Sequence, residues 1–280
     1  MGLFRQSQGF AGQDADLPYF AAMSTRTESL RSTDVIRYLT PLREGGSLPA
    51  IVECADGFLY VIKFRGAGQG PKALVAELIG GELARQLGLK VPEIVFIQLD
   101  PQYGKSEPDQ EIQDLLKASE GLNLGLHYLS GAIMYDPVSF RVDPLLASKI
   151  VWLDAFLMNV DRTARNTNML VWKNELWLID HGASLYFHHS WERWETMTDS
   201  PFLPIRDHVL LPVANELMAA DSWMRQEISE TMIRGIVDQV PAGWLLPGED
   251  PEVYTEFLLR RLANADRFTQ TIENARQSHL

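Results

Sequence analysis

One cysteine, Cys54, stands in 280 residues, which excludes an intrachain disulfide and any cysteine-based metal cluster. A reducing cytoplasm is the expected setting. No run of about 18 apolar residues occurs, and the opening segment MGLFRQSQGFAGQDADLPYF lacks the apolar core of an export signal. No membrane association is expected. Positive charge is scarce as well: 25 Lys and Arg against 37 Asp and Glu give a formal net charge of -12. A surface of that sign repels phosphate backbones, so direct nucleic-acid binding is not expected. A small anion can still be held where a few cations converge in one cleft, because local charge outweighs the global balance.

What is present suits a folded chain. Apolar residues make up 46% and charged ones 22%, which places the sequence with soluble globular proteins rather than disordered ones. The length allows one large domain or two modest lobes. Residues 1–32 carry Gly, Gln, Ser, Thr and Asp without apolar periodicity and read as a flexible arm. From Val35 to Phe64 the runs VIRYL, LPAIVECA and FLYVIKF alternate like strands, and Asp56-Gly57 between two of them is a hairpin signal. The period then changes. Leu74, Leu78, Ile79, Leu83 and Leu87 fall at helical spacing, with Gly88 at the C-cap position and Pro92 beyond. Val91 to Leu99 reads as another strand, and a polar loop leads to a short helix near Ile112 to Ala118.

Residues 144–158, PLLASKIVWLDAFLM, place Leu146, Ile150, Leu153 and Leu157 on one helical face behind Pro144. This helix delivers the chain into Asn159-Val160-Asp161-Arg162-Thr163-Ala164-Arg165-Asn166. Two short apolar runs, MLVW and LWLI, follow as a hairpin, and Asp180-His181-Gly182 closes it. Helical periodicity dominates from Asp207 to the end. The order helix, Asp with Asn five positions on, hairpin, Asp-x-Gly resembles the catalytic unit of protein kinases, in which a base and metal ligands must converge from one rigid piece. In that chemistry Asp161 takes or orients the proton of the attacking hydroxyl. Asn166 and Asp180 supply hard oxygen ligands for Mg²⁺, which needs only one or two carboxylates beside the phosphates of ATP. Arg162 and Arg165 add positive charge beside the transferring group. Taken alone, an Asp- and Asn-rich loop is ordinary turn chemistry; its coupling to the helix, the hairpin and the second Asp carries the weight.

NVDRTARNTNMLVW with LWLIDHG is similar to the catalytic core of the HipA-like kinases, a bacterial branch related to protein kinases. FLYVIKF and AELIGGELARQLGLKVPEI resemble that family's lysine strand and following helix. The resemblance, over residues 50 to 185, implies that Lys63 pairs the α- and β-phosphates of ATP and that Glu77 holds Lys63. The helical wheel puts Glu82 nearer the middle of the apolar face, so Glu82 stays open as the partner. A phosphate-covering loop is also implied. Arg43-Glu44-Gly45-Gly46-Ser47 is the natural candidate, since glycine lets backbone N–H groups approach phosphate. Gly66-Ala67-Gly68-Gln69-Gly70 competes. One departure stands out: relatives commonly carry His after the Arg of this loop, where this chain has Thr163, a change expected to affect loop support more than transfer.

The expected fold is α+β and protein-kinase-like in two lobes. An antiparallel nucleotide-binding lobe with one main helix spans 33–130, and a mainly helical catalytic lobe spans 131–280, with ATP between them. Residues 183–206 would form a mobile segment after the magnesium Asp, with Ser184, Ser190, Thr196, Thr198 and Ser200 as positions for phosphorylation. The expected activity is ATP- and Mg²⁺-dependent transfer to a hydroxyl, a Ser or Thr of a protein or else a small molecule. The rival readings are a pseudokinase that binds nucleotide without turnover and a helical interaction protein. His181, His188 and His189 lack the spacing of a metal site. The tryptophans near the strands are read as core.

Overall fold

Period-two alternation in residues 35–64 builds three consecutive antiparallel strands in the computed structural model, which describes residues 29–42, 48–103 and 108–278. The expected arm, apart from its last four residues, and the segment Arg43 to Ser47 lie outside the described residues. The strands are β1 (Ser32–Pro41), β2 (Ala50–Cys54) and β3 (Leu59–Lys63). Gly57 turns β2 into β3 at φ 84, a conformation glycine adopts without penalty. The Asp56 carboxylate accepts from Phe58 N–H across the same turn, at 3.2 Å.

Two more strands, β4 (Ile94–Leu99) and β5 (Gly121–His127), complete a closed barrel in the order β1-β2-β3-β5-β4. Closure corrects the expectation of a purely antiparallel sheet, because β1 pairs β4 in parallel, with Ser32 opposite Phe96. A closed sheet has no free edge. Strand β5 carries little strand signal in GLNLGLH, since Gly and Asn are poor strand formers. Its place is secured by packing instead: a Cβ at Gly125 would lie 2.2 Å from Ile97 Cδ1. Val52, Tyr60, Ile62, Val95 and Ile97 fill the barrel, joined by Ile112 and Leu116 of a short helix, α2 (Gln110–Ala118).

Helix α1 (Pro71–Gln86) connects β3 to β4. It ends as the sequence indicates, with Gly88 at φ 72 and Leu89 N–H donating to the Ala84 carbonyl at 3.0 Å. Every residue from Leu74 to Ala84 is buried, because α1 packs on the barrel on one side and on the C-terminal helices on the other. The largest apolar cluster therefore runs through α1 into the helical part of the molecule.

After β5 come a two-residue strand, β6 (Ile133–Met134), helix α3 (Pro144–Leu157) and the hairpin β7 (Met169–Trp172) and β8 (Glu175–Leu178); β6, β7 and β8 form a small antiparallel sheet. The Asp143 carboxylate caps α3 by accepting from Leu146 N–H at 3.0 Å. Around α3 lie α4 (Trp194–Met197), α5 (Leu217–Glu227), α6 (Glu230–Val237), α7 (Glu252–Ala263) and α8 (Asp266–Ser278). The long helical stretches read in the sequence are broken here, and the breaks have local causes. Ser229 caps a new helix through Met232 N–H, and Pro212 sits in a 3₁₀ turn, Leu211–Val213, where a longer helix would need its N–H.

Residues 183–206 are tied to the helical part of the molecule at several points. Leu185, Phe187, His188 and Phe202 are buried, with the Phe187 ring stacked on Phe257 at 4.0 Å. The Arg261 guanidinium donates to the carbonyls of Ala155, Phe156, Met197, Thr198 and Ser200, pinning this stretch to α3. Ser184 and Thr198 are buried, which removes their hydroxyls from the surface. Among the described residues, no helix is long and apolar enough to cross a membrane.

Candidate active site

Lys63 ends β3 and faces α1. Its Nζ donates to Glu77 Oε2 at 2.5 Å and to Asp180 Oδ1 at 2.7 Å. Glu82, the alternative partner, is bound instead by Arg85 one turn on, at 2.6 Å. Burial by itself would lower the Lys63 pKa, but Asp180 and Glu77 together push it up to about 12. Burial would likewise raise the Glu77 carboxyl, yet Lys63, with His181 close by, holds it down at about 2. Both groups are therefore charged at neutral pH.

Asp180 follows β8 and has φ 57. Aspartate is among the few residues other than glycine that adopt this left-handed conformation singly, and such conformations concentrate at functional sites. Gly182, two positions on, lies against α1, where a Cβ would meet the Ala73 carbonyl oxygen at an ordinary contact distance of 3.4 Å.

Asp161 lies in the loop after α3, and its Oδ2 is held by two amides. Asn166 Nδ2 donates to it at 2.8 Å and Asn168 Nδ2 at 3.2 Å. Oδ1 takes no part in these two bonds. With its N–H₂ turned to Asp161, the Asn166 amide presents its oxygen elsewhere. Lys63, Asp161, Asn166 and Asp180 line one cleft of about 260 Å³, together with Phe64, Ala67, Gly68, Gln69, Gly70 and Gly182. The competing glycine segment thus borders the cleft, whereas Gly45, Gly46 and Ser47 lie outside the described residues.

Arg162 is placed differently from the expectation that it faces the nucleotide. Its side chain is fully buried, and Nε donates to Asp154 Oδ2 at 2.6 Å; the guanidinium also bonds the Asn168 carbonyl. Asp154, on α3, further accepts from Asn159 Nδ2 at 2.9 Å and from His208 Nε2 at 2.9 Å. Leu210 N–H donates to His208 Nδ1 at 3.0 Å, so the ring proton belongs on Nε2. Burial would favour a neutral Asp154, but Arg162 and His208 hold its pKa far below the usual range. The loop is thus anchored from beneath by a buried carboxylate. His208 also pairs through its backbone with Thr163.

Asp154, Asn159, Asn168 and His208 escaped the sequence reading. For Asp154 a signal existed: an acid inside the apolar run VWLDAFLM is tolerated only with buried partners. His208 had none, since its partner lies 54 positions away.

A strand lysine held by a buried helix glutamate, with a loop Asp and its Asn and an Asp-x-Gly behind a hairpin lining the same cleft as the lysine, define a protein-kinase-like site. A model of the HipA-like kinase family matches residues 35–272, and the chain belongs to that family. Among solved structures, the proinflammatory kinase CtkA of Helicobacter pylori shares the fold at 14% identity and a TM-score of 0.52, over 89% of this chain and 97% of that one. The Golgi casein kinase aligns at 11% identity and a TM-score of 0.46, over 94% and 76%. A search of curated protein sequences finds no match. The chain is accordingly a kinase-like phosphotransferase in class.

Proposed function

We propose that this protein transfers the γ-phosphoryl group of ATP, with Mg²⁺, to a hydroxyl group, a serine or threonine of a protein being the acceptor. The observation that carries the reading is Lys63 bridging Glu77 and Asp180 at the edge of the cleft that Asp161 and Asn166 also line. In this reading residues 33–130 hold nucleotide and residues 131–280 supply the catalytic groups.

The donor set suits magnesium. Asp180 offers a carboxylate that is 47% exposed, and the Asn166 amide oxygen is a second hard ligand. Among the described residues no cluster of three His, Cys, Asp or Glu side chains is built to cage a metal. That fits an ion which takes one or two protein ligands and completes its shell with phosphates and water. When bound, Mg²⁺ supplies charge neutralisation on the phosphate oxygens. Lys63 binds the α- and β-phosphates, held at its post by Glu77. Asp161 accepts the acceptor's hydroxyl proton through Oδ1, its plane fixed by Asn166 and Asn168, as the new O–P bond forms and the bond to ADP breaks. Arg162 works beneath the loop and keeps Asp161 in place through Asp154.

Two measurements test this. Mg²⁺-ATP should raise the melting temperature, since a ligand of the native state stabilises it; no shift would leave only a helical interaction protein. With γ-labelled ATP and a generic protein acceptor, Asp161→Asn should cut transfer roughly 10²–10⁴-fold while binding persists. Binding without transfer by the wild type would identify a pseudokinase.

A further inference from the structure

Three buried polar atoms behind the cleft have no hydrogen-bond partner among the described residues: Glu77 Oε1 and both ring nitrogens of His181. Both side chains are 0% exposed, and His181 Nδ1 lies 3.9 Å from Glu77 Oε1, a fraction of an ångström beyond hydrogen-bond reach. Unpaired buried polar groups are rare in folded proteins and call for a reason. Here an orphan ring nitrogen and an orphan carboxylate oxygen face each other.

The surroundings are shaped to bring the ring to this place. Gly80 and Gly81 lie side by side in the interior of α1, where glycine weakens a helix. A Cβ at Gly80 would stand 2.9 Å from His181 Cβ, closer than side chains approach, whereas the close contact at Gly81 is with Ile94 Cδ1 at 2.5 Å. Without a Cβ at Gly80 the His181 side chain lies directly against the helix, one turn from Glu77. An apolar side chain would fill that space as well; histidine adds a ring N–H that can donate.

We propose that His181 is a positioning residue for the phosphate-binding lysine, its Nδ1–H donating to Glu77 Oε1 and thereby fixing the carboxylate that holds Lys63. The Glu77 carboxylate then has both oxygens engaged, Oε2 by Lys63 and Oε1 by His181, and can no longer rotate about its terminal bond. His181 directly follows Asp180. The ring therefore couples the helix that sets the lysine to the backbone that presents the proposed magnesium ligand, so the two halves of the phosphate site move together. This assignment rests on the kinase reading above.

The test compares His181→Leu, which fills the space without a donor, with His181→Asn, whose Nδ2–H stands where Nδ1–H was. Calorimetric titration with Mg²⁺-ATP should show about a tenfold weaker Kd for the leucine variant, the worth of one hydrogen bond to a charged group, and less than about a threefold change for asparagine. In transfer assays the leucine variant should raise KM for ATP more than it lowers kcat. A long-range ¹H–¹⁵N spectrum of histidine-labelled wild type should place the His181 proton on Nδ1, a readout that holds even if the leucine variant does not fold. Wild-type affinity in His181→Leu, equal losses in both variants, or a proton on Nε2 would each overturn the proposal. Failure of the kinase reading looks different: wild type would not bind Mg²⁺-ATP, and the inference would fall with it.

Discussion

Lys63 and Asp180 are 117 positions apart, yet the lysine Nζ donates to Oδ1 of the aspartate at 2.7 Å, joining the last residue of a barrel strand to the residues behind a hairpin of the helical part. Lys63 holds two carboxylates of unequal standing. Glu77 is fully buried and Asp180 is 47% exposed. The Glu77 pair is thus shielded from water, while the Asp180 carboxylate is open to it.

That inequality separates stability from function. Lys63→Met should leave Glu77 as an uncompensated buried carboxylate and destabilise the fold by about 3–5 kcal/mol. Adding Glu77→Gln removes the orphan charge and should recover most of the loss. Neither variant should bind Mg²⁺-ATP. Urea unfolding measures the first effect and nucleotide titration the second; a double variant as unstable as the single one would show that Glu77 is not the residue left unpaired.

Much of this arrangement was readable before any coordinates, and the unread part has a common physical character. The Asp161, Asn166 and Asp180 spacing, α1 with its Gly88 cap, and α3 behind Pro144 are set by local rules of periodicity, capping and turn chemistry. Strand β5 is not: its glycine and asparagine read as loop, and it becomes a strand because Ile97 needs the space a Cβ at Gly125 would take. The parallel closure of β1 on β4 likewise depends on contacts remote in sequence. Glu77 against Glu82 was undecidable on a helical wheel because α1 is buried on nearly all sides, leaving no polar face to read. Arg162 lies away from the cleft despite its charge, because its partner is a buried aspartate on the preceding helix α3.

Asn168 offers a sharper probe of the loop. It sits at φ 47 and its Nδ2 reaches both the Asp161 carboxylate, at 3.2 Å, and the Asp161 carbonyl, at 3.3 Å. Asn168→Gly keeps the left-handed backbone accessible and deletes only the amide. With Asp161 Oδ2 then held by Asn166 alone, kcat should fall about 10-fold while KM for ATP stays near the wild-type value, the pattern of an interaction that matters in the transition state. A KM effect with unchanged kcat would move Asn168 from orienting the base to shaping the nucleotide site.

Acid should unfold this protein earlier than its overall charge suggests, and histidine sets the onset. His208 faces Asp154 and Arg162, and burial, opposed by Asp154, lowers its pKa below the ordinary 6.5. His188 is lowered to about 3 by burial, with His189 and Lys72 adding to the shift; its Nδ1 also meets the Tyr254 hydroxyl at 3.3 Å. Below pH 6.5 the unfolded chain takes up protons that these two folded imidazoles refuse, so stability is full above that pH and falls as acid is added. Each histidine contributes a slope of roughly 1.4 kcal/mol per pH unit while only the unfolded form is protonated. Glu77 adds a second phase: its folded value of about 2 against the ordinary 4.5 means stability is lost as pH drops through that window. The melting temperature should accordingly be flat near neutrality, decline below about pH 6.5 and steepen below about pH 4.5. His208→Gln keeps a donor for Asp154 without a titrating ring and should flatten the first decline. If the melting curve from pH 7 to 5 has the same slope with glutamine in place, His208 is not the group that sets it.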